Sequence, residues 1–127
     1  MAYDPVRERV VLVGGSPVPA VGGETWEWDG NAWLQRSTLV SPAPRAGHQL
    51  CWDAGRARVT LIGGEVSSSQ PLGDIWDWDG TRWTQRFPEP GPAASPRQGA
   101  CSAYDDVHQT IILFGGADTI TRFGDTW

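Results

Sequence analysis

A unit of about fifty residues, present three times, constrains this chain more than any other feature. Gly-Gly occurs at Gly14-Gly15, Gly63-Gly64 and Gly115-Gly116, at offsets of 49 and 52 residues. An aromatic-Asp pair precedes each one, at Tyr3-Asp4, Trp52-Asp53 and Tyr104-Asp105, and the Asp always lies ten residues before the first Gly. Trp26, Trp76 and Trp127 follow the Gly pairs at offsets of 50 and 51. The stretch from Arg45 to Arg86 is the one complete copy, and truncated copies flank it. The expected divisions are therefore 1–44, 45–96 and 97–127, all within one domain.

Each copy spells out short strands. Val10 to Val13, Val59 to Ile62 and Ile111 to Phe114 are continuous apolar runs rich in β-branched residues, which predicts central strands covered on both faces. Gly47 to Trp52 and Gly99 to Tyr104 predict a preceding strand, joined to the apolar run by a short polar turn. In Trp26-Glu27-Trp28-Asp29 and Trp76-Asp77-Trp78-Asp79 the alternation places the indoles on one face and the acids on the other. Asp29-Gly30 and Asp79-Gly80 supply hairpin turns, and Ala32 to Arg36 and Arg82 to Arg86 complete the unit. Four antiparallel strands per copy result. The variable loops are Ser16 to Glu24, Glu65 to Asp74 and Ala117 to Asp125 after each Gly pair, and Ser37 to Pro44 and Phe87 to Pro96 between copies. Strand direction alternates, so both loop sets emerge at one end, the better place for a ligand.

Composition supports this reading and narrows the partners. Sixteen Gly, ten Pro and eight Trp in 127 residues suit many turns joined by aromatic strands. The net charge is −5, and all ten basic residues are Arg, scattered without a cluster, which argues against nucleic acid or an anionic membrane as partner. No apolar run is long enough to span a bilayer, and the N-terminus lacks the basic and apolar pattern of a secretory signal. Cys51 and Cys101 are not equivalent between copies and lack metal-ligand spacing, so both are expected to be small buried hydrophobes.

These motifs resemble the kelch repeats. That signature is a Gly-Gly closing an apolar strand, then an aromatic about ten residues on and a Trp six or seven later. Copy one offers VVLVGG, Trp26 and Trp33; copy two offers TLIGG, Trp76 and Trp83, preceded by Pro44-Arg45 and Gly47-His48; copy three offers ILFGG and Trp127, preceded by Pro96-Arg97 and Gly99. The resemblance implies an all-β fold of kelch-type β-propeller blades, each of four antiparallel strands, arranged as an incomplete or open arc. Gly14, Gly15, Trp26, Trp33, Gly63, Gly64, Trp76, Trp83, Gly115, Gly116 and Trp127 would be its structural repeat positions. An open arc leaves a flat apolar face at each end. Each uncovered Trp forfeits roughly 4–6 kcal/mol as an upper estimate, so further blades from a longer chain or from self-association are expected.

Residues that could carry chemistry are few. His48 occupies a place where the kelch pattern often has His, and reads as a packed ring bonded within its blade. His108 reads as part of a solvated turn. Trp26, Trp28, Trp76 and Trp78 could form a stacking platform, but their repetition points to packing between blades. The alternating acids Glu27, Asp29, Asp77 and Asp79 form no visible acid/base pair. Arg45 and Arg97 either bond structurally to a neighbouring blade or aim a donor at the channel mouth. With Glu65, Gln70, Asp118, Thr121 and Arg122 they make up the ligand-face candidates. The expected function is a non-catalytic binding or scaffold module for a protein or glycan, with no cofactor and no metal. The resemblance also extends to a galactose-oxidase-like copper enzyme, whose ligands do not map onto Tyr3, Tyr104, His48 or His108, and to a self-associating lectin-like propeller.

Overall fold

The computed structural model describes residues 1–15, 23–87 and 92–127 and is all-β. Most of the first loop and the middle of the loop expected over Phe87 to Pro96 lie outside these residues. The first sheet joins β1 (Ala2–Asp4), β2 (Arg9–Val13), β3 (Thr25–Trp28) and β4 (Trp33–Arg36) in sequence order, all antiparallel. The second joins β5 (Gln49–Asp53), β6 (Arg58–Ile62), β9 (Ile75–Trp78) and β10 (Trp83–Arg86) in the same way. Between β6 and β9 a small hairpin, β7 (Glu65–Ser67) and β8 (Gln70–Pro71), folds the long loop on itself. The third sheet pairs β11 (Cys101–Asp105) with β12 (Thr110–Phe114), and Thr126 begins to extend it through a bridge to Phe114.

The expected strands are all present, with bounds shifted by one or two residues. Covering of the apolar strands differs between copies and is greatest in the middle one. In β6, Val59, Thr60 and Leu61 are buried, whereas β12 buries Leu113 and exposes Thr110 and Phe114, since no described strand lies over its far face.

Turn chemistry explains why the register repeats. At the β1–β2 turn, Asp4 Oδ1 accepts the backbone N–H groups of Val6 and Arg7, both at 3.0 Å. Asp105 does the same for Val107 and His108, and Asp53 for Arg56. Each of these turns closes on a residue with positive φ: Glu8, Ala57 and Gln109, at 52 to 54°. Asp29 and Asp79 cap the outer hairpins likewise, through the amides two and three residues on. Aspartates thus fix both turn sets at one end of the sheets.

The sheets stack face to face in a fixed sense. Val11 and Val13 of the first sheet meet Val59, Leu61, Trp76, Trp78 and Trp83 of the second, and this joint is the buried core. The indoles of Trp76 and Trp78 therefore lie between sheets, and the acid Glu27 of the first sheet is the surface they meet. Glu27 is 1% exposed. Its Oε1 accepts the Trp78 indole N–H at 2.8 Å and a bond from Arg7, and its Oε2 accepts Arg36 Nε at 2.8 Å. Thr25 Oγ1 accepts the Trp83 indole N–H at 2.9 Å. A buried carboxylate survives when every lone pair is used, and this one is well supplied. Burial pushes its pKa up, but the bonds from Trp78, Arg7 and Arg36 outweigh that and hold it below the ordinary range.

The inner edge carries a second set of links. Both Gly63 and Gly64 have positive φ, and a Cβ on Gly63 would stand 2.6 Å from the Arg97 carbonyl of the third sheet. Only glycine allows that approach. The Gly64 amide donates to the Arg97 carbonyl at 2.9 Å, and the Gly15 amide donates to the Arg45 carbonyl at 3.3 Å. Tyr104 Oη accepts the Gly55 amide at 2.8 Å.

Gly30 and Gly80 offer a controlled comparison. Both sit at a φ of +96°, but a Cβ on Gly80 would fall 2.2 Å from Arg7 Nη1, while one on Gly30 meets nothing within 4 Å. Gly30→Ala is expected to cost about 1 kcal/mol in a urea melt, from backbone strain alone. Gly80→Ala is expected to cost at least about 1 kcal/mol more, because it displaces Arg7 from Glu27. Equal losses would show that Arg7 yields freely.

Candidate functional site

Two buried arginines organise the end of the molecule where the loops gather. Arg45, 1% exposed, donates through Nε to Ala43 O at 3.0 Å and through Nη1 to Gly63 O at 3.0 Å. Its two terminal nitrogens grip Asp74 at 2.5 and 2.8 Å, and Asp74 Oδ2 also accepts the Trp76 indole N–H at 2.7 Å. Arg97, 3% exposed, repeats the arrangement with Ser95 O, Gly115 O and Asp125 at 2.5 and 3.0 Å, and Trp127 supplies the indole N–H. Only a planar guanidinium can make this forked grip. Burial pushes the Asp74 carboxyl up, yet Arg45 and Trp76 together hold it below the usual range. Arg97, then Trp127, hold Asp125 well below it. Arg97 also lies over the Phe123 ring, 4.1 Å from its centre.

Arg45 and Arg97 are thus committed inside the fold, but their side chains bond within their own copies rather than to a neighbouring one; only their backbone carbonyls reach across, accepting the Gly15 and Gly64 amides. The remaining ligand-face candidates divide. Half-buried Glu65 accepts from Gln98 Nε2 at 2.8 Å, a link between the second and third sheets. Asp118 is half-buried and caps its own turn, accepting the amides of Ile120 and Thr121 at 2.7 and 2.6 Å. Gln70, Thr121 and Arg122 are exposed, and Leu39, Val40, Phe87 and Ile120 are exposed apolar side chains in the loops of the same end.

The repeat positions are placed as a set of equivalents with unequal cover. Gly14, Gly15, Gly63, Gly64, Gly115 and Gly116 all have positive φ. Trp76 and Trp83 are buried, Trp26 is half-buried, and Trp33 and Trp127 are exposed at 43% and 41%. Trp28 and Trp33 form a tilted pair with centroids 5.6 Å apart, the counterpart of buried Trp78 and Trp83 at 5.3 Å. The first pair faces away from the second sheet and has no described cover.

Two expectations need correction. Cys51 is buried but Cys101 is exposed, because Cys101 pairs with Phe114 on the uncovered face of the third sheet; both thiols are free. His48 is packed against Gly64, but it is not bonded within its own sheet. Its Nδ1 has no partner among the described residues, and the backbone that favours its protonation is that of Val13 in the first sheet. Burial, reinforced by Arg45 and the N-terminal amino group, lowers its pKa from 6.5 to about 4. His108 is 75% exposed and bonds Asp105 Oδ2 through Nδ1 at 2.7 Å, as a turn residue. Tyr104 and His108 belong to the turn end and His48 to the loop end, so these groups do not converge. Among the described residues no three His, Cys, Asp or Glu side chains are placed to share a metal, and no helix is long and apolar enough to cross a membrane.

Some residues that hold the site escaped the sequence reading, although a signal was there. An acid stands two residues before Trp26, Trp76 and Trp127, namely Glu24, Asp74 and Asp125. A base stands three residues after each turn Asp, namely Arg7, Arg56 and His108. Both recur in frame. Neither a known protein-family model nor a curated protein matches the chain.

Breaking one clasp tests its weight. Arg45→Met should lower stability by about 3 kcal/mol, since Asp74 is left without its cation, and the double variant with Asp74→Asn should recover a measurable part of that loss. Strictly additive losses would show that the pair is not coupled. His48 sets a pH dependence of known sign. The unfolded ring takes its proton near 6.5 and the folded one near 4, so the stability it contributes is present above 6.5 and is lost as pH falls towards 4. The loss should reach about 3 kcal/mol by pH 4. Melting temperature measured from pH 7.5 to 4.5 should fall for the native chain and stay flatter for His48→Leu.

Proposed function

We propose that the chain acts as a non-catalytic binding or scaffold module, part of a kelch-type propeller that presents its loop end to a protein partner. The observation that carries this reading is a division of labour at that end. The charged groups that could act chemically, Arg45, Arg97, Asp74 and Asp125, are consumed by one another. What remains accessible is Gln70, Thr121 and Arg122 with Leu39, Val40, Phe87 and Ile120. Apolar side chains interspersed with an arginine and amide or hydroxyl groups suit a protein surface, where aromatic residues and Arg supply most of the affinity. The opposite end exposes Val6 and Val107, each at the tip of a short turn capped by aspartate.

A photo-crosslinking residue placed at Gln70 or Arg122 is expected to trap a defined protein, and the same residue at Val6 or Val107 is not. Equal capture at both ends would overturn the assignment of the loop end. Binding confined to a glycan array would replace the protein partner with a carbohydrate.

A further inference from the structure

The first and second sheets are held together by side chains, and the connection between them has few ties of its own. No strand of one sheet pairs with a strand of the other. Across the joint Trp78 donates to Glu27 and Trp83 to Thr25, Arg7 lies against Gly80, and Val11 packs with Val59 and Leu61. The connection leaves β4 at Arg36. It is fixed again at Pro42, which is buried, and at Ala43, whose carbonyl accepts Arg45 Nε at 3.0 Å. Between these points, among the described residues, no backbone hydrogen bond holds Ser37 to Ser41. The chain bends at Leu39 and Val40, and both side chains face solvent, at 106% and 58% exposure.

Two properties of this arrangement act together. The faces of the joint differ, with indoles on the second sheet and a carboxylate and a hydroxyl on the first, so either sheet is satisfied by the complementary sheet of any copy. Straightening Ser37 to Ser41 breaks no backbone bond among the described residues and uncovers no aliphatic side chain, since Leu39 and Val40 are already bare. Extended, those five residues span about 17 Å. Stacked sheets lie about 10 Å apart, so the straightened segment carries the first sheet clear of its own second sheet.

We propose that the chain exchanges its first sheet with a second copy of itself, residues 37–41 acting as the hinge. In the exchanged dimer each Glu27 takes the indole N–H of the partner's Trp78, and both joints are complete. The two hinges run antiparallel about the twofold axis, and backbone groups left unpaired in the monomer bond across it. Leu39 and Val40 then meet their equivalents in the partner, which gives two bare aliphatic side chains in mid-connection a cover. The exchange uses only the joint already filled in the monomer and no open sheet edge. It leaves Gln70, Thr121 and Arg122 accessible and does not rest on the protein partner proposed for them.

The test mixes equal amounts of chain carrying isotope-labelled valine methyls and unlabelled chain at millimolar concentration. The mixture is brought to its unfolding midpoint in urea, so that the joint opens, and is returned to buffer. Size exclusion is expected to separate a dimer from the monomer. Isotope-filtered NOE spectra of the dimer should show contacts from the Val11 methyls of the labelled copy to the Trp78 ring of the unlabelled one, and the monomer should show none. Leu39→Asp alters a fully exposed side chain and places like charges opposite each other in the paired hinges. It should leave the melting temperature of the monomer unchanged and lower the dimer yield at least tenfold. Absence of a dimer, a dimer without those contacts, or an unchanged yield from Leu39→Asp would overturn the proposal.

Discussion

One buried carboxylate fixes how the sheets of this protein fit together. Glu27 has almost no contact with water, so its charge is tolerable only while Arg7, Arg36 and the Trp78 indole all remain in place. Those three donors come from the β1–β2 turn, the last strand of the same sheet and the third strand of the next sheet. Arg7 and Arg36 move with Glu27, so a rotation of one sheet over the other would cost the buried carboxylate its indole donor, whereas an all-apolar joint would tolerate sliding. The apolar contacts of Val11, Val59 and Leu61 supply the bulk of the attraction, and Glu27 selects the register.

The loop end shows the same economy in a second form. Each buried arginine closes a circuit that runs from the loop before the first strand, through the carbonyl of the first Gly, to the acid before the Trp. The circuit ties together the start of one strand, the end of the next and the entry to a third. In the second and third copies the loops after the Gly pairs are therefore anchored by the same set of bonds, and differences in their composition do not reach the sheets. A scaffold of that kind lets surface residues such as Gln70 and Arg122 differ without disturbing the core.

The repeat made the strands, the hairpins, the four-strand sheets and the packing role of the indoles readable from the chain, because period and alternation are local properties. Partners separated by a whole repeat were not readable. Glu27 and Trp78 are 51 residues apart, and nothing within either motif says that the acid face of one sheet meets the indole face of the next. Asp74 and Asp125 sit inside loops that differ in composition, where a single carboxylate looks like ordinary solvent-facing polarity. Its meaning came only with the burial of Arg45 and Arg97. Cys101 failed for another reason. A cysteine on a strand is buried only if something covers that face, and the third sheet has no described neighbour beyond it.

The joint between sheets has a further consequence, since its two sides differ: indoles on one, a carboxylate and hydroxyl on the other. Such an interface is heterologous: the second sheet turns its donor side towards the N-terminal neighbour, and the first turns its acceptor side towards the C-terminal one. The stack is therefore a polar object, like a filament with a plus and a minus end. Two such stacks cannot join through like ends by this chemistry, and any growth proceeds in one sense only. The bonds specify direction, while the number of sheets is left to the wedge angle between them.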